Sequence, residues 1–369
     1  MNIEATLEAL RENGNLRTLP PDTRCAQRVD LSTNDYLGLG SDAALRREFM
    51  EQALAAGYGM TASASRLLAT QQNEFTALEH TIGQAYGRPT LLFNSGYHAN
   101  TGMIAALAAD KHTLVVADRL VHASIIDGIK LSGAPMERFR HNDYGHLRRI
   151  IANKGAQYPY VLIVAESIYS MDGDRADIGA LADAKASHPG AMLYVDEAHA
   201  VGVAGPGGLG LCAASRRSSE VDIIVGTMGK ALAGTGAFGV MSEEMRGFMI
   251  NKARSLIFST AMPPLCAAWN RLVFEKALGM DSERAHLARL AVTLYDVLGL
   301  DGEPSHIAPF ITGTPESAVN LSKHLDAHGF HVLPIRTPTV PPGTDRLRFS
   351  LSASLSAGCL EPLRHIIRN

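Results

Sequence analysis

The sequence lacks an excess of basic residues, closely spaced cysteines and any long apolar run, and each lack removes a class of function. Lysine and arginine total 34 against 37 aspartate and glutamate, a formal net charge of −3 at pH 7. No overall basic field is therefore available to hold a nucleic-acid backbone. The four cysteines, Cys25, Cys212, Cys266 and Cys359, lie far apart and form no C-x-x-C pair. That usage argues against a structural zinc or other metal site and for a reduced, cytoplasmic setting. No stretch approaches the roughly 18 uninterrupted apolar residues of a membrane span. The opening MNIEATLEALRENGN is polar and acidic, without the basic start and apolar run of a signal peptide. What the chain does have is apolar material: 46% of its 369 residues are hydrophobic and 19% charged, enough for a large core and one or two globular domains.

Residues 2 to 13 space Ile3, Leu7 and Leu10 as one face of a short amphipathic helix, an arm that the Pro20-Pro21 pair would stop. From about residue 50 helical stretches alternate with short apolar runs: TLLF at 90, TLVVA at 113, YVLIVAE at 160, AMLYVDE at 191, VDIIVGT at 221 and AFGVM at 237. Runs of this length separated by helix-length segments predict buried, mostly parallel strands with helical crossovers, an α/β sheet over residues 46–262. After Pro263-Pro264 the texture changes to a helical region and then short strands near HIAPFIT, HVLPIR and RLRFSLS. A smaller α+β domain over residues 263–369 fits this, with residues 1–45 as an amino-terminal segment.

Open α/β sheets bind ligands at the carboxyl ends of their strands, so the polar residues following each apolar run are the candidates. Asp196-Glu197-Ala198-His199 follows AMLYV, and Gly226-Thr227-Met228-Gly229-Lys230 follows VDIIV. If those strands are neighbours, Asp196, His199, Thr227 and Lys230 converge on one crevice. Asn94-Ser95-Gly96-Tyr97-His98 follows TLLF and leads into a helical pattern whose amino terminus suits a phosphate. Asp118-Arg119-Leu120-Val121-His122 follows TLVVA, and Ser170 follows YVLIVAE. An imine-forming lysine, a carboxylate for a ring nitrogen, an imidazole for stacking and a phosphate cradle together suit pyridoxal phosphate.

Taken singly, each residue has a plainer reading. Lys230 could be a solvated loop lysine, Asp196 a helix cap, His122 and His199 structural histidines, and Arg66 and Arg348 ordinary ion-pair partners. VAGPGGLG at 203–210 lacks the G-x-x-x-x-G-K-[ST] spacing and reads as a surface turn. The coincidence of so many polar groups at successive strand ends is what favours a shared site.

Nearly the whole chain resembles the α-oxoamine synthases, fold-type I pyridoxal-phosphate enzymes. The resemblance is carried by TNDYLGLG at 33, FNSGYHAN at 93, RLVHASIIDG at 119, HND at 141, ESIYSMDGD at 166, VDEAHAVGVAGPGGLG at 195, GTMGKALAGTGAF at 226, FSTAMPP at 258 and RTPTVPPGTDRLRFSLSA at 336. It implies that Lys230 forms a Schiff base with the cofactor, Asp196 pairs with the pyridine nitrogen, His199 bonds near the phenolic oxygen and His122 stacks on the ring. Gly96, Tyr97 and Thr227 would hold cofactor and phosphate, with Ser170 beside the ring. A homodimer is implied, in which Ser259 or Thr260 reaches the phosphate in the partner subunit. Arg348, helped by Asn34, would receive an amino-acid carboxylate, and Arg17 and Thr339 would contact substrate.

The closing PTVP-x-GT-x-RLR phrase is most similar to the branch that joins L-alanine to a pimeloyl thioester, carried by coenzyme A or an acyl carrier protein. Other branches use glycine or serine with a different acyl group. An aminotransferase or a non-catalytic relative would keep the fold. One segment departs from the family pattern: Thr61, Ala62 and Ala64 stand where glycine-rich residues are usual, and Phe75 replaces a histidine four residues before Glu79.

Overall fold

The computed structural model describes residues 2–12, 15–19 and 28–367. Pro20, Pro21 and Cys25 lie outside the described residues. The chain divides into a large unit, Leu37–Tyr169 with Arg175–Arg284, and a small unit, Met1–Tyr36 with Ser170–Asp174 and Ala285–Asn369. The division differs from boundaries at 45/46 and 262/263. Pro264 does not open a new domain; it occupies the first turn of the helix Pro264–Leu278, where a missing N–H costs nothing. That helix belongs to the large unit because its Trp269 donates to Ala233 O at 3.0 Å and its Asn270 to Thr235 O at 2.7 Å.

The strands are, in chain order, β1 (Val29–Asp30), β2 (Thr90–Phe93), β3 (Thr113–Asp118), β4 (Met136–Phe139), β5 (Tyr160–Glu166) and β6 (Ala191–Asp196). They continue with β7 (Ile223–Thr227), β8 (Ala237–Val240), β9 (Ile307–Gly313), β10 (Phe330–His331), β11 (Leu333–Ile335) and β12 (Asp345–Ser350). In the large unit seven of them form a sheet in the order β2-β8-β7-β6-β5-β3-β4. Every pairing is parallel except those of β8, which is antiparallel to both β2 and β7. Two reversals restore the direction, so β2 runs with β7. The carboxyl ends of β2, β3, β5, β6 and β7 therefore share one edge.

All six apolar runs read from the sequence are strands of this sheet. Their side chains are buried on both faces, as with Val115, Val116, Ile163, Val164, Leu193 and Val195, which is why they read as continuous rather than alternating runs. Gly226 on β7 faces Phe238 on β8, and a Cβ there would stand 2.2 Å from the Phe238 ring. Strand β4 was not among those runs. It is an edge strand, exposed at Met136 and Arg138 and fully buried only at Phe139, and its sequence MERF carries two charges.

In the small unit β11, β12 and β9 form an antiparallel sheet, and β1 pairs in parallel with β10. The HVLPIR run, expected as one strand, splits into β10 and β11, which pair with different partners. The arm helix Ile3–Glu12 forms as expected, but Ile3, Leu7 and Leu10 remain exposed. Among the described residues no helix is long and apolar enough to cross a membrane.

Candidate active site

Strand β6 ends at Asp196 and its parallel neighbour β7 at Thr227. The chain then reverses into β8 through residues 228–236. This turn is clamped at its base, where Met228 N donates to Gly236 O at 2.9 Å and Gly234 N to Met228 O at 2.7 Å. Ala233 within it holds φ 46°, in the left-handed region that side chains rarely adopt. From below, Asn270 Oδ1 accepts from Thr235 N at 3.2 Å. Lys230 projects from this braced turn, half-buried, with Nζ 2.8 Å from Nε2 of the buried His199. The loop-lysine reading of Lys230 does not hold.

Asp196 is 5% exposed and does not cap a helix. Its Oδ1 accepts from Ala198 N at 2.9 Å, and its Oδ2 accepts from Asn100 Nδ2 at 2.7 Å. The same Asn100 amide donates to Ser124 Oγ at 2.9 Å, and its Oδ1 accepts from the Tyr194 hydroxyl at 2.7 Å. Burial first, and then Asp196, hold the Tyr194 hydroxyl well above its ordinary pKa, so it remains a donor. His122 closes this group: its Nδ1 accepts from Ser124 N at 3.2 Å and lies 2.7 Å from Ser124 Oγ. His122 thus also caps the helix Ala123–Ser132, a structural duty added to the expected one. Its own backbone N donates to Glu166 Oε1 at 2.6 Å. Burial pushes the Glu166 carboxyl well above the ordinary range, Asp196 adds to that rise, and Lys230 opposes it.

Asn100, Ser124, Tyr194 and Glu166 were not singled out in the sequence. Asn100 had a usable signal, a polar residue inside the apolar helical pattern ANTGMIAALAA. Glu166 closes YVLIVAE as Asp196 closes AMLYVD, and the two residues pair in register.

The turn after β2 carries Ser95, whose hydroxyl accepts from His98 N at 3.1 Å and caps the helix Gly96–Leu107. The amides of Gly96 and Tyr97, in the first turn, have no partner within the helix. A Cβ on Gly96 would lie 4.0 Å from Thr227 Oγ1, so the helix terminus and the end of β7 flank the same space. Tyr97 directs its hydroxyl away, donating to Asp127. Ser259 and Thr260 are also at this turn: Asn94 Nδ2 donates to Ser259 Oγ at 2.8 Å and to Thr260 O.

The unusual segment at 61–79 is joined to Thr260 through a bridge with Ser65 and through Ala261 N donating to Ala64 O at 2.9 Å. Ser63 holds φ 51° there. Phe75 is buried, with the Arg66 guanidinium 4.7 Å above its ring. Arg66 pairs with Glu79 at 3.2 Å, so its ion-pair reading holds. A phenylalanine in place of the usual histidine thereby presents an apolar face to that cation.

In the small unit Arg348 makes no ion pair among the described residues, unlike the plain ion-pair reading. It donates to Asn34 Oδ1 at 3.3 Å from both terminal nitrogens and to Ser170 O at 2.5 Å from Nε. Arg348, Asn34 and Ser170 are thus gathered together. The arm residue Arg17 donates to Thr339 Oγ1 at 2.7 Å, uniting a second expected pair. Arg346, two residues before Arg348, is held separately by Asp172 at 2.5 Å.

Residues 26–367 match the family described as Aminotransferase class I and II. An 8-amino-7-oxononanoate synthase from Chlorobaculum parvum is 45% identical over 374 residues, covering 96% of this chain and 95% of that one. Among solved structures, a serine palmitoyltransferase from S. paucimobilis with bound PLP–myriocin aldimine has a TM-score of 0.88 at 26% identity, covering 99% of this chain and 95% of that one. The 8-amino-7-oxononanoate synthase of Francisella tularensis has a TM-score of 0.78 at 28% identity, covering 92% of this chain and 96% of that one. The parallel sheet with its one reversed strand is the α/β architecture these enzymes share. Matched along nearly its whole length, the chain belongs to the class I and II aminotransferase family and is an enzyme of fold type I.

Proposed function

We propose that this enzyme is a pyridoxal-phosphate-dependent acyltransferase of biotin biosynthesis, condensing L-alanine with a pimeloyl thioester to give 8-amino-7-oxononanoate, carbon dioxide and the free thiol carrier. The observation that carries the reading is Lys230 Nζ at 2.8 Å from His199, on the strand end beside Asp196. The donor set fits the cofactor: an ordered carboxylate for the ring nitrogen, a lysine braced at its backbone, and free helix amides beside Thr227 for the phosphate. The 45% identity to a named 8-amino-7-oxononanoate synthase supports the branch.

When bound, pyridoxal phosphate supplies an electron sink for the pair released at the amino-acid α-carbon. Lys230 Nζ takes the α-proton, and His199 fixes where Nζ waits. The α-carbon then bonds to the acyl carbonyl carbon, the thiol leaves with a proton, and the carboxylate departs as carbon dioxide. Lys230 returns a proton to the same carbon. Arg348, presented with Asn34, is the group that receives the carboxylate, since a guanidinium fork matches it. His122 would stack on the ring, Gly96, Tyr97, Thr227 and Ser170 would hold the cofactor, and Arg17 and Thr339 would contact substrate. The working form is a cytoplasmic homodimer in which Ser259 or Thr260 of one protomer serves the phosphate of the other site. Coenzyme A or an acyl carrier protein carries the acyl group.

The test is an absorbance titration of purified protein with pyridoxal phosphate, then with L-alanine, then with pimeloyl-CoA, alongside Lys230→Ala. Expected are a visible cofactor band absent in the variant, an alanine-dependent change, and thiol and carbon dioxide release on adding the thioester. A band that answers glycine or serine but not alanine transfers the enzyme to a sister branch, and no band refutes the reading.

A further inference from the structure

Asn100 has three hydrogen-bonding groups, and each is engaged by a different member of the site. One amide hydrogen goes to Asp196 Oδ2, the other to Ser124 Oγ, and Oδ1 accepts from Tyr194. All four residues are buried: Asn100 is 2%, Asp196 5%, and Ser124 and Tyr194 each 0% exposed. The amide has only one workable orientation. A flipped Asn100 would set its carbonyl against the Asp196 carboxylate, two acceptors with no proton between them, and its NH2 against the Tyr194 hydroxyl. Because Asn100 donates to Ser124 Oγ, the Ser124 hydroxyl proton is directed to His122 Nδ1, 2.7 Å away.

Asp196 is buried, and on the adjoining strand it pairs in register with Glu166, a second buried carboxyl. Its direction is set by two donors: Ala198 N serves Oδ1 and Asn100 Nδ2 serves Oδ2. Among the described residues Asn100 is thus the side-chain amide that orients the carboxylate.

We propose that Asn100 is a positioning residue, clamped by Tyr194, that holds the Asp196 carboxylate oriented toward the cofactor's ring nitrogen and, through Ser124, orders the edge of His122. This inference rests on the assignment of Asp196 as the ring-nitrogen partner. It adds a residue on the helix Gly96–Leu107, so the helix whose first turn would hold the phosphate also positions, one turn further on, the carboxylate assigned to the ring nitrogen.

The test compares the affinity of the apoenzyme for pyridoxal phosphate and for 1-deazapyridoxal phosphate, which lacks only the ring nitrogen, by fluorescence titration. Wild type is expected to prefer pyridoxal phosphate. Asn100→Ala loses a hydrogen bond to a charged group, so its affinity for pyridoxal phosphate should fall about ten- to hundredfold while that for the deaza compound changes less than about threefold. Tyr194→Phe, a milder change that only unclamps the amide, should erode the preference by about three- to tenfold and serves if Asn100→Ala does not fold. Equal weakening toward both ligands in Asn100→Ala means general structural support and overturns the proposal, as does a preference left intact in either variant. A wild type with no preference at all refutes instead the Asp196 assignment on which the inference stands.

Discussion

Glu197 gives a pH test of the packing behind the site. The residue is fully buried; Oε1 accepts from Leu211 N at 2.7 Å and Cys212 N at 3.0 Å, while Oε2 has no hydrogen-bond partner among the described residues. Burial pushes its carboxyl up from 4.5 to about 7, against the pull of the Cys212 and Leu211 amides. The folded state therefore binds a proton that the unfolded chain releases near pH 4.5, and between those values unfolding sheds protons. Stability from this group is fully present below the unfolded value and is lost as pH rises through about 7. At about 1.4 kcal/mol per pH unit, the rise is worth on the order of 3 kcal/mol. Glu197→Gln keeps an acceptor for the two amides and cannot titrate. Urea unfolding of wild type and variant at pH 5, 6, 7 and 8, at one protein concentration, should show the variant gaining on wild type by up to about 3 kcal/mol toward pH 8. Two stability profiles that stay parallel to within about 0.5 kcal/mol would refute a neutral, buried Glu197.

Two further outcomes follow from backbone geometry. Gly226→Ala places a Cβ 2.2 Å from the Phe238 ring on the paired strand, and overpacking of this kind should lower stability by about 1–3 kcal/mol. Adding Phe238→Leu should recover part of that loss in the same unfolding assay, and no recovery would place the strain elsewhere. Ser63→Gly releases a left-handed residue at φ 51°, a strain of about 1–2 kcal/mol offset in part by the greater freedom of glycine in the unfolded chain. A small rise in melting temperature is expected, and a fall would show that the Ser63 Oγ to Thr61 Oγ1 bond at 3.4 Å outweighs the strain.

The candidate site was legible where polar residues follow strong apolar runs. Asp196 and Thr227 end strands buried on both faces, and Lys230 follows in the turn after β7. Residues whose role depends on contact across the fold were not legible. Asn100 looks like a flaw in an apolar helix until Tyr194, 94 positions later, and Asp196 are seen against it. Strand β4 was hidden because an edge strand needs little apolar sequence. The domain limits were hidden because Pro263-Pro264 reads as a break, whereas proline at a helix start is a continuation. Arg348 and Arg346 look alike in RLR, and only the pairing of Arg346 with Asp172 and the gathering of Asn34 and Ser170 about Arg348 separate them.

The reversed strand β8 has one more consequence, for travel. In the proposed reaction Lys230 leaves a bond, carries a proton and returns, which needs an anchorage that does not wander while its tip does. The turn between β7 and β8 is tied at its neck and pinned beneath by Trp269 and Asn270, so the excursion of Lys230 Nζ is confined to the arc its own four-carbon stem can sweep. His199 marks one end of that arc. In a longer or looser connection the same amine would search a volume; here it swings like a gate on a fixed post.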